Sequence, residues 1–252
     1  MRFAWRFAPV ACSIAFAVGG SFALLTRSAA ETGALVPPAR GVPARATTPP
    51  WAGLPAPVRA APAVRPATTM RPPVAQVQWR RSRAVGLPYA GRLVAGVQLP
   101  VQGRTFVTFD PVLRKSPNRA WRRFGTDRLL RVVLGVTSAY AVAHPNAPRV
   151  VIGDLSRTHG GSFGKRYGGL GHRSHQNGLD VDIYYPRRDG REIPPGRVRD
   201  IDRALAQDLV RRFVRAGSRY VFIGPATQLR GPRGVVMKLV HHDDHMHVRI
   251  PR

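Results

Sequence analysis

Ser174-His175-Gln176-Asn177-Gly178-Leu179-Asp180-Val181-Asp182-Ile183 and, later in the chain, His241-His242-Asp243-Asp244-His245-Met246-His247-Val248-Arg249 concentrate the metal-capable side chains of this protein. Both stretches carry a period of two. On a strand, alternate residues share a face. Asp180 and Asp182 then point one way while Val181 and Ile183 enter a core. His245 and His247 likewise share a face, opposite Met246, Val248 and Ile250. Two neighbouring strands of this kind aim carboxylates and imidazoles into one cleft. A turn at Asn177-Gly178 reverses the chain, so that His175 returns over Asp182.

Zinc suits such a set. A catalytic zinc takes three ligands from His and Asp or Glu and leaves a fourth position for water. It lowers the pKa of that water and polarises a scissile carbonyl. A separate acid–base group must then move the proton, and histidine does so near neutral pH. With His247 on the metal, His245 on the same face is the candidate. Asp243 and Asp244 read as orienting or turn residues, His241 as structural or solvent-facing, and Asp180 as a partner of a ligand histidine or of backbone donors.

Outward from these islands, short strands are expected at 96–100, 106–109, 149–153, 179–185, 219–223 and 244–250. A helix capped by Thr126 or Asp127 runs through Leu129, Leu130, Val133, Val136 and Tyr140 towards His144-Pro145, and an amphipathic helix spans 200–216. Arg203, Arg211, Arg212 and Arg215 form its solvated face. The expected fold is α+β, a mostly antiparallel sheet with flanking helices carrying a zinc site. Residues 83–252 form this domain.

The first third differs. Arg2 and Arg6 precede an apolar run over 7–25, and Ser28-Ala29-Ala30 offers a cleavage point. Residues 1–30 are expected to act as a signal peptide or a signal anchor, and export to the periplasm or cell wall follows. Residues 31–82, rich in Pro, Ala and Arg, read as a disordered linker. Cys12 is the single cysteine, which excludes disulfides, thiolate zinc sites and a cysteine nucleophile from the domain. The net charge of +27 comes almost wholly from arginine; only Lys115, Lys165 and Lys238 are lysines. Such a field attracts polyanions, here anionic wall polymers or a membrane surface met through the N-terminal third. The export signal argues against a specific nucleic-acid partner.

The motif Ser174 to Asp182, a His-x6-Asp element, followed by His242 to Arg249 with its His-x-His element, resembles the penicillin-insensitive murein endopeptidases. These sit within the wider lysostaphin-type, D-Ala-D-Ala and hedgehog-type zinc folds. Gly153-Asp154-Leu155-Ser156 and the pairs Gly160-Gly161 and Gly168-Gly169 also fit, and the likeness runs from about Leu87 to the C-terminus. The resemblance implies that His175, Asp182 and His247 bind Zn2+, that His245 is the catalytic base, that His242 lines the site, and that His172 can join the metal. It implies hydrolysis of the D-alanine to meso-diaminopimelate bond in peptidoglycan cross-links without a serine acyl-enzyme. The long N-terminal third and the loop Ser162 to Tyr167 depart from the pattern.

Several other readings are weaker. His241 and His245 have helical spacing, but the Glu of a His-Glu-x-x-His site is missing. Gly160-Gly161-Ser162-Phe163-Gly164 matches a nucleophile pattern, yet no helix start follows it. It reads as a loop at the cleft edge, with Arg166 and Tyr167 near substrate. Trp121 and Phe124 are candidates for ligand stacking, though packing is the commoner use. A DD-carboxypeptidase of the same fold and a non-catalytic wall-binding module remain as alternative functions.

Overall fold

The structure is a computed structural model that describes residues 76–169 and 172–252. The expected signal segment 1–30 with Cys12, the linker up to residue 75, and Leu170 and Gly171 lie outside the described residues.

A hairpin of β1 (Arg83–Leu87) and β2 (Ala90–Val94) opens the domain. Two short strands, β3 (Val97–Gln98) and β5 (Phe124–Gly125), pair with each other. The main sheet has six strands: β4 (Phe106–Thr108), β6 (Val150–Ile152), β7 (Asp180–Tyr184), β8 (Tyr220–Ile223), β9 (Val236–Lys238) and β10 (His245–Arg249). Their spatial order is β4-β6-β7-β10-β8-β9. The inner pairings are antiparallel, whereas both outer pairs, β4 with β6 and β8 with β9, are parallel. The sheet is therefore mixed, with its antiparallel part at the centre.

Helix α1 (Asp127–Ala143) starts where Thr126 Oγ1 accepts a hydrogen bond from the Leu129 amide at 3.2 Å, satisfying one of the free N–H groups of the first turn. It ends at His144, just before Pro145, which cannot continue a helix. Helix α2 (Arg203–Arg215) is capped in the same way by Asp202, which accepts from the Leu205 amide at 3.0 Å. Its expected start at residue 200 falls instead in a short 3-10 turn, Val198–Asp200.

Leu129, Leu130, Val133 and Tyr140 of α1 and Ala206, Leu209, Val210 and Phe213 of α2 bury against Val181, Ile183, Tyr185, Met246, Val248 and Ile250. Each large apolar side chain removed from water contributes about 1.5–3 kcal/mol before entropy is counted. The helices thus cover one face of the sheet. A smaller apolar cluster of Val107, Phe109, Val151 and Tyr184 lies apart from that core. With one face of β7 and β10 committed to the helices, Asp180, Asp182, His245 and His247 share the other.

Candidate metal centre

Strands β7 and β10 set three polar pairs on one face. Their register sets Arg249 opposite Asp180, His247 opposite Asp182, and His245 opposite Tyr184. His175 reaches the middle pair from a loop. Its own backbone lies in the left-handed region (φ 64°), as does that of Gly178 (φ 79°). A side chain at Gly178 would strike Leu93 at 2.7 Å, so the reversal expected at Asn177-Gly178 needs this glycine. Ser156 ties the loop down. Its hydroxyl donates to the His175 carbonyl and accepts from the Gly178 amide at 2.8 Å.

At the centre, His175 Nε2 and His247 Nδ1 lie 3.1 Å apart, and each stands within 3.2 Å of Asp182 Oδ1. The outer nitrogens fix the protons. His175 Nδ1 faces the Leu155 carbonyl at 2.9 Å, which can only accept, so that nitrogen carries hydrogen. His247 Nε2 faces Asp180 Oδ1 at 2.8 Å and donates to it. Two inward lone pairs and a carboxylate oxygen are left facing one another. Asp182 Oδ1 is buried without an aligned hydrogen-bond donor. Such a knot of acceptors fits a cation or an added proton.

The titration of these groups follows. Burial pushes the His175 pKa down and leaves it neutral, although Asp182 pulls the other way. Burial works against charge on His247 too, but the hydrogen bond to Asp180 and the nearby charges of Asp180 and Asp182 outweigh it, raising its pKa to about 9. Burial alone would raise Asp182; His175 first and then His247 hold it well below the usual carboxylate range. Without a metal, a proton on His247 takes the cation's place.

His172 stands on the other side of Asp182. It, His175 and Asp182 bring ligand-capable atoms within 4.8 Å of one another, so this trio too is able to hold a metal ion. Its Nε2 is 3.7 Å from Asp182 Oδ2 but only 2.8 Å from Asp154 Oδ2, which competes for it. His247 Nδ1 lies nearer to Asp182, at 3.1 Å, and its far nitrogen is engaged by Asp180.

His245 lies beside the cluster. Its Nε2 is 3.9 Å from Asp182 Oδ1, while Nδ1 is 2.6 Å from Asp244 Oδ1. Burial opposes its protonation, but the Asp244 hydrogen bond and the charges of Asp182 and Asp244 prevail and raise its pKa. Asp243 is used differently, accepting from the Ala226 amide at 3.0 Å. His242 is partly exposed, with its ring 4.7 Å from that of His245 and 6.1 Å from that of His247. Its pKa is lowered by burial. His241 is exposed.

Sequence reasoning gave no role to Asn118, Arg122 or Tyr184, and none to Asp154 beyond its place in a motif. Arg122 and Asp154 are both fully buried and form an ion pair, with Nε to Oδ1 at 2.7 Å. Asn118 Nδ2 adds a hydrogen bond to Asp154 at 3.0 Å, and Arg122 Nη1 reaches the Tyr167 carbonyl at 2.9 Å. Burial tends to raise Asp154, yet Arg122 and His172 hold it below its ordinary value. Burial, with the charges of Asp182 and Asp244, raises the Tyr184 phenol, which stays protonated. Trp121 is used for packing, with its ring 5.4 Å from Tyr167 and 6.0 Å from Phe163. Ser162 is followed only by a 3-10 turn, Lys165–Tyr167, so the nucleophile-elbow context is missing.

Two concavities include neighbours of the cluster. A pocket of about 550 Å³ includes His172, Phe163 and Tyr89. A second, of about 760 Å³, includes Tyr184, Asp244 and Phe109.

The model of the penicillin-insensitive murein endopeptidases matches residues 84–212. The chain belongs to this family. The matched region takes in Arg122, Asp154 and the whole Ser174 to Ile183 stretch, and ends before β8 and the His241 to Arg249 stretch. Membership makes the chain a peptidase of peptidoglycan, and the His-Asp cluster agrees with metal-dependent hydrolysis. No curated protein matches the chain.

Proposed function

We propose that the chain is a zinc-dependent endopeptidase that hydrolyses D-alanine to meso-diaminopimelate cross-links in peptidoglycan. The observation that carries this reading is the meeting of His175 Nε2, His247 Nδ1 and Asp182 Oδ1 within 3.2 Å of one another. Two neutral imidazoles and a carboxylate are a zinc donor set. Bound there, zinc would activate a water and polarise the scissile carbonyl.

The remaining work falls to the chain. Asp180 holds His247 with its Nδ1 lone pair inward, and the Leu155 carbonyl does the same for His175 Nε2. His245 keeps Nδ1 on Asp244 and presents Nε2 towards Asp182. It takes a proton from the attacking water and delivers it to the leaving amine, so that one peptide bond and one water become a carboxylic acid and an amine. His242 lines the site, and His172 either orients or adds a ligand.

Cleavage within a cross-link, rather than trimming of a terminal D-alanine, is the reading favoured by membership of the murein endopeptidases. The basic run and apolar segment at the N-terminus support export to the periplasm or cell wall, with residues 7–25 either removed or kept as an anchor and residues 31–82 as a tether. The arginines there would meet anionic wall polymers or lipid headgroups.

Digestion of cross-linked muropeptides, followed by mass spectrometry, tests the reading. Monomer release is expected, with chelator inhibition reversed by zinc. His247→Ala should lower kcat/KM by about a thousandfold, equivalent to the several kcal/mol that metal activation supplies. Shortened pentapeptides with intact dimers would identify a carboxypeptidase instead. Full activity in H247A would overturn the site.

A further inference from the structure

Tyr184 stands one rung beyond the Asp182–His247 pair on the same face of β7, and His245 is its direct cross-strand partner. The two rings lie 5.7 Å apart. The phenol ring is held firmly. Phe109 meets it edge-on at 5.7 Å, and Val107 and Val151 complete the cluster around it. Gly153 lies so close that a Cβ there would come within 3.0 Å of ring Cε2.

The hydroxyl is the unusual part. Only 7% of Tyr184 is exposed, yet its Oη has no hydrogen-bond partner among the described residues. Nor is it sealed from solvent, as the unpartnered hydroxyl of Tyr140 is. The exposed remnant opens on the 760 Å³ pocket that Asp244 also lines. A tyrosine with a buried ring usually commits its O–H to a protein partner. This one keeps a fixed ring, packed against that of the proposed base, and a free donor.

We propose that Tyr184 is a further catalytic residue, whose Oη–H donates a hydrogen bond to the scissile carbonyl oxygen as negative charge builds there. The inference rests on the metallopeptidase reading above. The phenol keeps its proton throughout; the water's proton still travels through His245 to the amine. A donor fixed before the reaction stabilises the transition state more than the ground state, because the oxygen's charge exists only in the former. The rigid clamp on the ring supplies that fixity.

Tyr184→Phe tests this, since it removes one oxygen and leaves the packing against Phe109 and His245. The expected result on cross-linked muropeptides is a fall in kcat of about 10- to 100-fold, towards the lower end of what an oxyanion donor contributes. KM should change less than about twofold, with melting temperature and zinc content unaltered. A phosphinate analogue of the scissile bond should lose affinity by the same factor as kcat. A merely structural tyrosine would move melting temperature or zinc content instead. The proposal is overturned if Y184F keeps wild-type kcat while the wild-type enzyme is chelator-sensitive. It also falls if the lost activity follows lost zinc. A wild-type enzyme indifferent to chelator, or an active H247A variant, overturns the metal reading and this inference with it.

Discussion

His247 and Asp182 face each other directly across β10 and β7, with Nδ1 and Oδ1 3.1 Å apart and no other element between them. The pair is buried, and His175 closes it from a loop. In the proposed site a proton and a cation compete for the same small space.

Metal affinity should therefore depend on pH. His247, with a pKa of about 9 in the metal-free protein, carries at neutral pH a proton that a metal must displace. Apparent affinity should fall by up to about tenfold for each unit that pH drops below that value. The same raised pKa means that, without metal, this histidine's contribution to stability is complete below about pH 6.5 and is lost as pH rises through about 9. Zinc titrations against a competing chelator at several pH values, with proton release followed in weak buffer, measure the first effect. A flat profile would contradict it.

Asp180→Asn tests how His247 is held. The amide keeps the size but loses the charge that draws His247 Nε2–H at 2.8 Å and Arg249 Nε at 2.6 Å. Removing such a partner typically costs about 10- to 100-fold in metal affinity or activity. Chelator competition should show the loss, and excess zinc should restore part of the turnover.

Asp244→Asn should shift the pH profile. As the proposed base His245 must be neutral, so activity should decline as pH falls through its pKa. Asp244 helps to raise that pKa, and its removal moves the acid limb to lower pH. The maximal rate should fall as well, because the 2.6 Å bond that aims the ring is weakened. Unchanged pH–rate curves would sink this account.

Arg122→Met leaves Asp154 charged and buried without its main partner. Breaking a buried pair on one side costs about 3–5 kcal/mol. Chemical denaturation should register that loss. The Tyr167 carbonyl also loses its donor, so proteolysis in the loop 162–169 should quicken.

Much of this site was legible because a strand makes side-chain direction a matter of parity. Asp180-Val181-Asp182-Ile183 and His245-Met246-His247-Val248 alternate without interruption, and the structure turns the polar members of both to one face and the apolar members to the core. Thr126 announced α1 through its capping chemistry. Neither the hairpin of β1 and β2 nor β9 was foreseen. Their residues alternate poorly, and their burial is partial, so no strong pattern is written into them. The ion pair of Arg122 and Asp154 was invisible for a different reason. In a chain crowded with arginine, one that turns inward differs from its neighbours only in tertiary surroundings. Tyr184 escaped notice because an aromatic residue on a strand reads as core until its hydroxyl is seen to open on a pocket.

Along β10, neighbours in sequence serve opposite masters: one side chain faces the chemistry and the next faces the helices. Adding or deleting a single residue there would send both histidines into the oily layer and push Met246 and Val248 against the buried carboxylates. This strand can be varied by replacement at alternate positions and in no other way, so its length matters to the proposed site as much as its imidazoles do.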